Sequence, residues 1–209
     1  MNTELLTPFT LSWPDGVFPL GSDTLALGDF ATVRRNWKVC DLGCGSGALL
    51  LLLKRREPSL SLFGLDIDPL SAQTAHSNLL NNQLDGTILT GDLRNCELPS
   101  GRFDLVISNP PYFSLHTGKS GGSARSEETC TLDQLCAAAS RATKNGGRFA
   151  LCHRPERLTD LLSALRHYGL EPKRMQLVAH SAAHAPFLVM VESVRQGKPG
   201  LKVLPTQIP

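Results

Sequence analysis

The sequence predicts an α/β fold in which helices cover both faces of a mostly parallel sheet. Short apolar segments alternate with helical segments from about residue 37 onward. The first apolar segment leads directly into a glycine-rich loop that opens a helix. The last two apolar segments are separated only by residues 180–186, which favours an antiparallel hairpin at the edge of the sheet. Alternation of this kind is typical of parallel sheets covered by helices.

The individual elements follow from apolar periodicity and from turn residues. The segment 131–143 is rich in alanine and leucine and ends at Asn145-Gly146-Gly147, a typical helix stop. The predicted strands of a seven-stranded sheet are 38–42, 60–66, 86–90, 103–108, 148–152, 175–179 and 187–194. The predicted helices are 47–55, 70–82, 131–143 and 155–168.

Length and composition indicate one globular domain. The 209 residues are 41% hydrophobic and 19% charged, so we expect a single domain over 1–209 with an N-terminal extension at 1–36 that contains a helix. The longest apolar run, 48–53, is far shorter than the roughly 20 residues of a membrane helix. The first residues do not resemble a signal peptide. We therefore expect a cytoplasmic protein without a membrane partner, either a monomer or a homodimer.

The cysteine and histidine pattern does not predict a metal site. The six cysteines are scattered and form no C-x-x-C pair. We interpret them as buried reduced thiols that pack as small hydrophobic residues. His180 and His184 have metal-ligand spacing, but no third ligand motif accompanies them.

The first candidate site is the loop Asp41-Leu-Gly43-Cys-Gly45-Ser-Gly47 after the first predicted strand. Its glycines allow a tight turn and a close approach of a ligand to the backbone at a helix N-terminus. An acidic residue two positions before the first glycine would repel a pyrophosphate but attract an ammonium group. The loop therefore favours a cofactor that carries an amino acid.

Two further strand ends indicate an adenosine ligand. Asp66, followed by Ile67, ends the second predicted strand, where a carboxylate can accept both ribose hydroxyls. Asp92 follows the third predicted strand and could accept from the adenine amine, while Leu93 packs on the ring. Helix capping or turn formation is the competing interpretation of Asp92, and NAD would use Asp66 in the same way as another adenosine cofactor.

The motif Asn109-Pro110-Pro111-Tyr112 follows the fourth predicted strand. Two prolines fix two φ angles and remove two N–H donors. The Asn109 side-chain oxygen and the Pro110 carbonyl can then form a rigid pair of acceptors for an exocyclic amino group, with Tyr112 stacked on the same flat ring. We therefore assign Asn109, Pro110 and Tyr112 to catalysis, Asn109 also to the cofactor site, and Pro111 and Tyr112 to substrate binding.

Charge indicates a polyanionic partner. Residues 1–118 carry 8 Lys and Arg against 12 Asp and Glu, whereas residues 119–209 carry 13 against 7. A basic half beside an acidic half suits RNA docking next to a chemical site. We predict a substrate loop at 113–125, with Lys119, Arg125 and a basic face from Arg141 to Arg174 holding phosphates.

The glycine loop and the Asn-Pro-Pro-Tyr box resemble class I amino-methyltransferases that act on planar nitrogens. More narrowly, 18–209 resembles the family that makes N6-methyladenosine beside the anticodon of a valine tRNA. Further resembling stretches are 18–30, 124–127, 155–158 and 196–205. The resemblance implies a Rossmann-like class I methyltransferase fold, S-adenosyl-L-methionine as cofactor and no metal. It also implies methyl transfer to the N6 of an adenine in RNA, most specifically tRNA.

Several alternatives stay open on the sequence. A methyltransferase for protein glutamine N5 also uses Asn-Pro-Pro-Tyr, and rRNA or DNA adenine are related substrates. An NAD-binding oxidoreductase would explain Gly43 and Asp66 but would leave Asn109 and Tyr112 without a role. An inactive RNA-binding scaffold would not need Asp41.

Overall fold

The computed structural model describes residues 1–95, 98–110 and 130–208. Its central feature is an eight-stranded sheet with the strand order β10-β8-β9-β7-β6-β3-β4-β5, and a separate hairpin pairs β1 with β2. The strands are β1 Asn2–Leu6, β2 Phe9–Trp13, β3 Lys38–Leu42, β4 Ser61–Asp66, β5 Gly86–Thr90, β6 Phe103–Ser108, β7 Thr143–His153, β8 Leu170–Val178, β9 Leu188–Arg195 and β10 Lys202–Val203. The helices are α1 Ser22–Phe30, α2 Ala48–Arg56, α3 Pro69–Asn81, α4 Leu132–Ala142 and α5 Leu158–His167.

The sheet confirms the predicted fold class. β3 pairs in parallel with both β4 and β6, and β6 pairs in parallel with β7. The predicted hairpin is present, and its second strand, β9, is antiparallel to both β7 and β8. β9 therefore lies between these strands rather than at the outer edge. The two-residue β10 adds an eighth strand beside β8.

The chain changes direction across the sheet at β3. It proceeds outward through β4 and β5, and then returns to place β6 on the other side of β3. In open α/β sheets, ligands bind outside the carboxyl ends of the strands at such a switch point. This topology assigns the binding cleft to the ends of β3, β4 and β6.

Several strands differ from the sequence prediction: β1, β2 and β10 have no predicted counterpart, β8 begins at Leu170 rather than at residue 175, and β7 also begins earlier than predicted. β7 begins at Thr143 rather than at residue 148, because the strand passes through Asn145-Gly146-Gly147, which has the composition of a turn. β1 was not predicted, because four of its five residues are exposed and no apolar alternation marks it. The hairpin nevertheless contributes to the core through Leu11 and Trp13.

The N-terminal extension is an integral part of the hydrophobic core. Every residue of α2 from Ala48 to Leu53 is buried. Six consecutive buried residues point in all directions around a helix, so α2 must be covered on more than one side. Its second face packs against α1, where Gly28 approaches Leu52 so closely that an added Cβ would lie 3.0 Å from the leucine side chain. Leu27 and Phe30 of α1 join the same core cluster. The N-terminal extension therefore covers a side of α2 that the sheet does not reach.

Asn78 of α3 and Asn82, the residue directly after this helix, hold the hairpin by bonding to both the N–H and the carbonyl of one β2 residue each. The Asn78 carboxamide accepts from the Ser12 N–H at 3.0 Å and donates to the Ser12 carbonyl at 2.8 Å. Asn82 makes the same pair of bonds with Thr10, at 2.8 and 2.7 Å. Asn78 also donates to the Ser46 carbonyl at 2.9 Å, so it links the hairpin to the glycine loop.

A buried carboxylate fastens the end of α1 to the sheet. Glu192 is fully buried on β9 and accepts from the Thr32 N–H at 2.7 Å and from Arg148 at 2.6 Å. Arg174 contacts the same carboxylate at 3.3 Å and donates to the Phe30 carbonyl at 2.9 Å. The prediction that Arg148 and Arg174 belong to a basic face that holds phosphates is therefore wrong. Their guanidinium groups instead form an internal ion cluster with Glu192.

Replacing Glu192 with glutamine should destabilise the fold by about 3 kcal/mol, because the change leaves two partly buried guanidinium groups without their carboxylate. Urea denaturation gives this free energy of unfolding. Asp160→Asn is the matched control, since it breaks an ion pair with Arg157 in which Asp160 is 62% exposed and should cost less than about 1 kcal/mol. Equal losses in the two variants would show that the Glu192 cluster does not anchor α1.

Candidate active site

A cleft opens where β3, β4 and β6 reach the same edge of the sheet. Its cavity volume is about 130 Å³, and apolar side chains form most of its wall. The lining residues are Leu42, Gly43, Leu65, Ile67, Gly91, Asp92, Leu93, Ser108, Pro110, Cys130, Thr131, Leu132, Leu135 and His153. The Ser108 hydroxyl donates to the Leu42 carbonyl at 2.7 Å and ties the ends of β6 and β3 together.

The glycine loop leaves backbone exposed to a ligand at two positions. Gly43, Gly45 and Gly47 have φ angles of +76°, +53° and +80°, which strongly favour glycine. An added Cβ at Gly43 or Gly45 would meet no atom within 4 Å, so the space beside them is open. A Cβ added at Gly47 would lie 3.2 Å from the Ala75 side chain. Gly47 therefore serves the packing of α2 on α3, whereas Gly43 and Gly45 border the open space.

Asp41 is a buried carboxylate with unused acceptor capacity. Its exposed fraction is 1%, and its Oδ1 atom has no hydrogen-bond donor among the described residues. Burial, and secondarily the nearby charge of Asp66, raises the pKa of Asp41 well above its ordinary value. A buried acceptor of this kind is costly unless a ligand supplies a donor. A cationic ammonium would supply both the donor and the compensating charge.

Asp66 is held rigidly beside the loop. Its two carboxylate oxygens accept from the Gly45 N–H at 2.7 Å and from the Asp68 N–H at 3.0 Å. Burial raises the pKa of Asp66, although these backbone donors oppose the shift. Ile67, which is 49% exposed, follows it and lines the cleft.

Asp92 and Leu93 line the cleft as predicted, but the Asp92 carboxylate has a protein partner. The Arg94 Nε donates to it at 2.7 Å, and this bond lowers the pKa of Asp92. Sequence reasoning did not foresee this ion pair, which lies within a single turn. The role of Asp92 toward an adenine amine stays a prediction, because a carboxylate has further lone pairs.

Asn109 follows β6 directly and lies between Ser108 and Pro110, which line the cleft. Its carboxamide nitrogen donates to the Thr24 hydroxyl at 2.9 Å, and its oxygen accepts from the Cys152 thiol at 3.0 Å. The expected outward-facing oxygen is therefore already in contact with β7. The register explains this contact, because Ser108 pairs with Leu151 and thus brings the next residue on each strand together. Pro110 lines the cleft, and its catalytic role stays a prediction.

His153 is a cleft residue that sequence reasoning missed. It ends β7, is 4% exposed, and its Nδ1 accepts from the Arg154 N–H at 2.8 Å. Burial lowers the pKa of His153, which favours the neutral imidazole. The available signal in the sequence was its place directly after a predicted strand, since the end of that strand lies on the same cleft as the glycine loop. Among the described residues, no three His, Cys, Asp or Glu side chains cluster as metal ligands do.

Part of the predicted substrate site lies outside the described residues. This part comprises Pro111, Tyr112, Lys119, Arg125 and the loop 113–125. Their assigned roles stay predictions.

The sequence of 20–165 matches the family described as methyltransferase small domain. The match covers more than half of the 209 residues.

The chain belongs to this family. Membership agrees with the open glycine loop and the Asn-Pro sequence at the same sheet edge. It removes the NAD-binding oxidoreductase from the alternatives, because the family is one of methyltransferases. The resemblance stated from the sequence is confirmed.

Curated relatives of this methyltransferase domain include proteins that act on tRNA. Two proteins of Porphyromonas gingivalis are each named tRNA1(Val) (adenine(37)-N6)-methyltransferase. One is 36% identical over 144 residues, which cover 65% of the chain and 56% of the relative. The other is 33% identical over 169 residues, which cover 75% and 66%. The chain thus spans less than two thirds of the length of these relatives.

Solved structures show the same fold at low identity. A predicted O-methyltransferase of Agrobacterium tumefaciens has a TM-score of 0.72 at 20% identity, with coverage of 89% of this chain and 86% of that one. A geranyl diphosphate C-methyltransferase of Streptomyces coelicolor has a TM-score of 0.62 at 14% identity, with coverage of 82% and 78%. Both likenesses confirm the Rossmann-like architecture of this methyltransferase domain. No helix in the described ranges has the length and apolarity to cross a membrane.

Replacing Asp41 with asparagine should stabilise the free methyltransferase domain. In the unfolded chain Asp41 ionises near the ordinary aspartate pKa of about 3.9, whereas burial gives it a higher pKa in the folded protein. The free energy of unfolding of the wild type therefore falls as the pH rises from the unfolded-state pKa of Asp41 to its folded-state pKa, whereas the variant lacks this fall. Its advantage over the wild type should therefore grow as the pH rises through this range and be largest above the folded-state pKa.

Urea denaturation of both proteins between pH 4 and pH 8 measures this advantage. Asp85→Asn, an exposed position before β5, controls for the loss of one negative charge. A difference between the wild type and Asp41→Asn that does not grow with pH would contradict the raised pKa of a buried carboxylate.

Proposed function

We propose that this protein transfers a methyl group from S-adenosyl-L-methionine to the exocyclic N6 of an adenine in RNA, most specifically in a tRNA near its anticodon. The observation that carries the proposal is the adjacency of two features at one sheet edge. A buried carboxylate with an unused acceptor directly precedes an open glycine loop, and the Asn109-Pro110 sequence follows the neighbouring strand, with Pro110 lining the cleft.

The residues of the cleft fit this cofactor. Asp41 offers a buried acceptor to the ammonium of the methionine part, and the backbone of Gly43 and Gly45 is open to close approach. Asp66 lies where an adenosine ribose would be held, and Ile67 and Leu93 supply apolar contacts for the adenine ring. When bound, the cofactor supplies an electrophilic methyl group on a sulfonium.

Asn109 and Pro110 hold the nucleophile. The Pro110 carbonyl and the Asn109 carboxamide oxygen accept the two N–H bonds of the amine, which draws the nitrogen toward tetrahedral geometry and frees its lone pair. A carboxamide oxygen can accept two hydrogen bonds, and the Cys152 thiol is a weak donor that an amine N–H would outcompete. Orientation of this kind can contribute several kcal/mol, up to about 7–11 in the best intramolecular reactions.

No strong base is needed, because an N-methylated aromatic ammonium is acidic and loses its proton to water. The target base must leave its stack to reach the cleft, which costs a few kcal/mol. Unstacked bases in RNA loops meet this requirement most readily.

RNA is favoured over protein glutamine by the extent of the similarity. The relatives named for tRNA match 65% and 75% of the chain. A release factor glutamine methyltransferase of Flavobacterium psychrophilum matches 37% of it, and a ribosomal RNA small subunit methyltransferase C of Haemophilus ducreyi matches 38%. Both shorter matches fit a shared catalytic domain. With an RNA substrate, we place the protein in the cytoplasm.

Methyl transfer from labelled S-adenosylmethionine to total tRNA tests the substrate. The tRNA comes from a strain that lacks the enzyme, and nucleoside mass analysis identifies the product. We expect labelled N6-methyladenosine. Label in protein glutamine without N6-methyladenosine would overturn the RNA assignment.

Replacing Asn109 with alanine should abolish methyl transfer, because it removes one of the two acceptors that hold the amine. The Kd for S-adenosylmethionine, measured by calorimetry, should stay within a few fold of the wild-type value. Asn81→Ala is the matched control, since Asn81 is exposed at the end of α3, and it should retain full activity. If Asn109→Ala binds the cofactor far more weakly, Asn109 belongs to the cofactor site instead.

A further inference from the structure

We propose that Thr24 is a positioning residue that holds the Asn109 carboxamide in the plane needed to accept the target amine. This inference rests on the proposed function of Asn109. It assigns to the N-terminal extension a direct part in organising the site, which the Asn-Pro-Pro-Tyr sequence alone does not indicate.

The contact between the two residues joins distant parts of the chain. The Asn109 Nδ2 atom donates to the Thr24 Oγ1 atom at 2.9 Å across 85 residues of sequence. Thr24 lies in the first turn of α1 and is half-buried. It contacts the nitrogen end of the carboxamide, whereas the thiol of Cys152, which lies on β7, contacts the oxygen end. In the free protein the two contacts hold opposite ends of one planar group, and the Thr24 contact is the one that remains when the target amine replaces the thiol at the oxygen end.

The carboxamide needs such support because its torsion is soft. The χ2 angle of asparagine joins a tetrahedral carbon to a planar group, and its energy wells are broad. Rotation about χ2 moves the oxygen away from the amine while leaving the backbone of Asn109 in place. An error of about 1 Å in the position of a reacting group can lower a rate by about a hundredfold. A bond to the nitrogen end restricts this rotation.

Thr24 is itself held by a rigid framework. The last turn of α1 is fixed by the Glu192 cluster, and the Arg56 guanidinium donates to the carbonyls of Gly28 and Ala31. The close contact of Gly28 with Leu52 fixes the distance between α1 and α2. The position of the Thr24 hydroxyl is therefore set by the core and does not depend on a loop.

Thr24→Val removes the hydroxyl and keeps the branched shape. We expect kcat to fall about 10- to 100-fold, while the KM for tRNA, the Kd for S-adenosylmethionine and the Tm change little. Thr24→Ser should recover most of the activity, because it restores the hydroxyl. Thr87→Val, on the exposed face of β5, is the matched control and should behave as the wild type.

Nuclear magnetic resonance of the Asn109 side-chain amide tests the same contact without an activity assay. The two N–H signals are assigned by their loss in Asn109→Ala. In Thr24→Val they should broaden or exchange faster with solvent, and in Thr24→Ser they should resemble the wild type. Unchanged signals together with unchanged kcat in Thr24→Val would overturn the inference.

The outcomes separate this inference from the proposed function. A wild-type protein that methylates no adenine would refute the proposed function, while the amide signals would still show whether Thr24 holds Asn109. A Thr24→Val variant that loses cofactor affinity as strongly as kcat would place Thr24 in the cofactor site and would refute the positioning role.

Discussion

The site depends on the position of β3 between β4 and β6, all three parallel. This arrangement brings the glycine loop, Asp66 and the Asn109-Pro110 segment to one sheet edge. The Ser108 to Leu42 bond and the bonds from Gly43 and Cys44 to the Leu65 carbonyl lock the three strand ends together. A shift of β6 by one residue would turn Ser108 away from β3 and would separate the acceptors from the cofactor cleft. The relative positions of the glycine loop, Asp66 and Asn109-Pro110 thus depend on strand register.

A costly feature of the molecule lies at this edge. Asp41 is buried with an unused acceptor, and glycines in the left-handed region of φ follow it. The buried Asp41 carboxylate does not stabilise the free protein, and it becomes favourable only when a ligand provides a donor. The rest of the fold offsets this cost through a large apolar core and through the bonded Glu192 cluster. The buried acceptor thus lies where a ligand is proposed to bind, and the interactions that offset its cost lie in the core and in the Glu192 cluster.

The parallel sheet and the cleft could be predicted because they are encoded locally. Each apolar strand ends at a distinctive polar or glycine residue, and parallel topology brings such ends together. The contacts of Asn109 with Thr24 and Cys152 could not be predicted, because they join strands and helices that are distant in sequence. The same holds for Arg148 and Arg174, whose charges appear in the sequence as a basic face but meet a buried Glu192. Composition records charge, whereas only the fold determines which charges face each other.

Calorimetric titration with S-adenosylmethionine at a series of pH values upward from the ordinary aspartate pKa of about 3.9, with two buffers of different ionisation enthalpy at each pH, tests the central claim most directly. The claim is that a buried Asp41 with a raised pKa receives the ammonium of the cofactor. It predicts binding that releases a proton, and a weaker binding without proton release in Asp41→Asn. Absence of binding, or binding that is equally tight and proton-neutral in both proteins, would contradict the account.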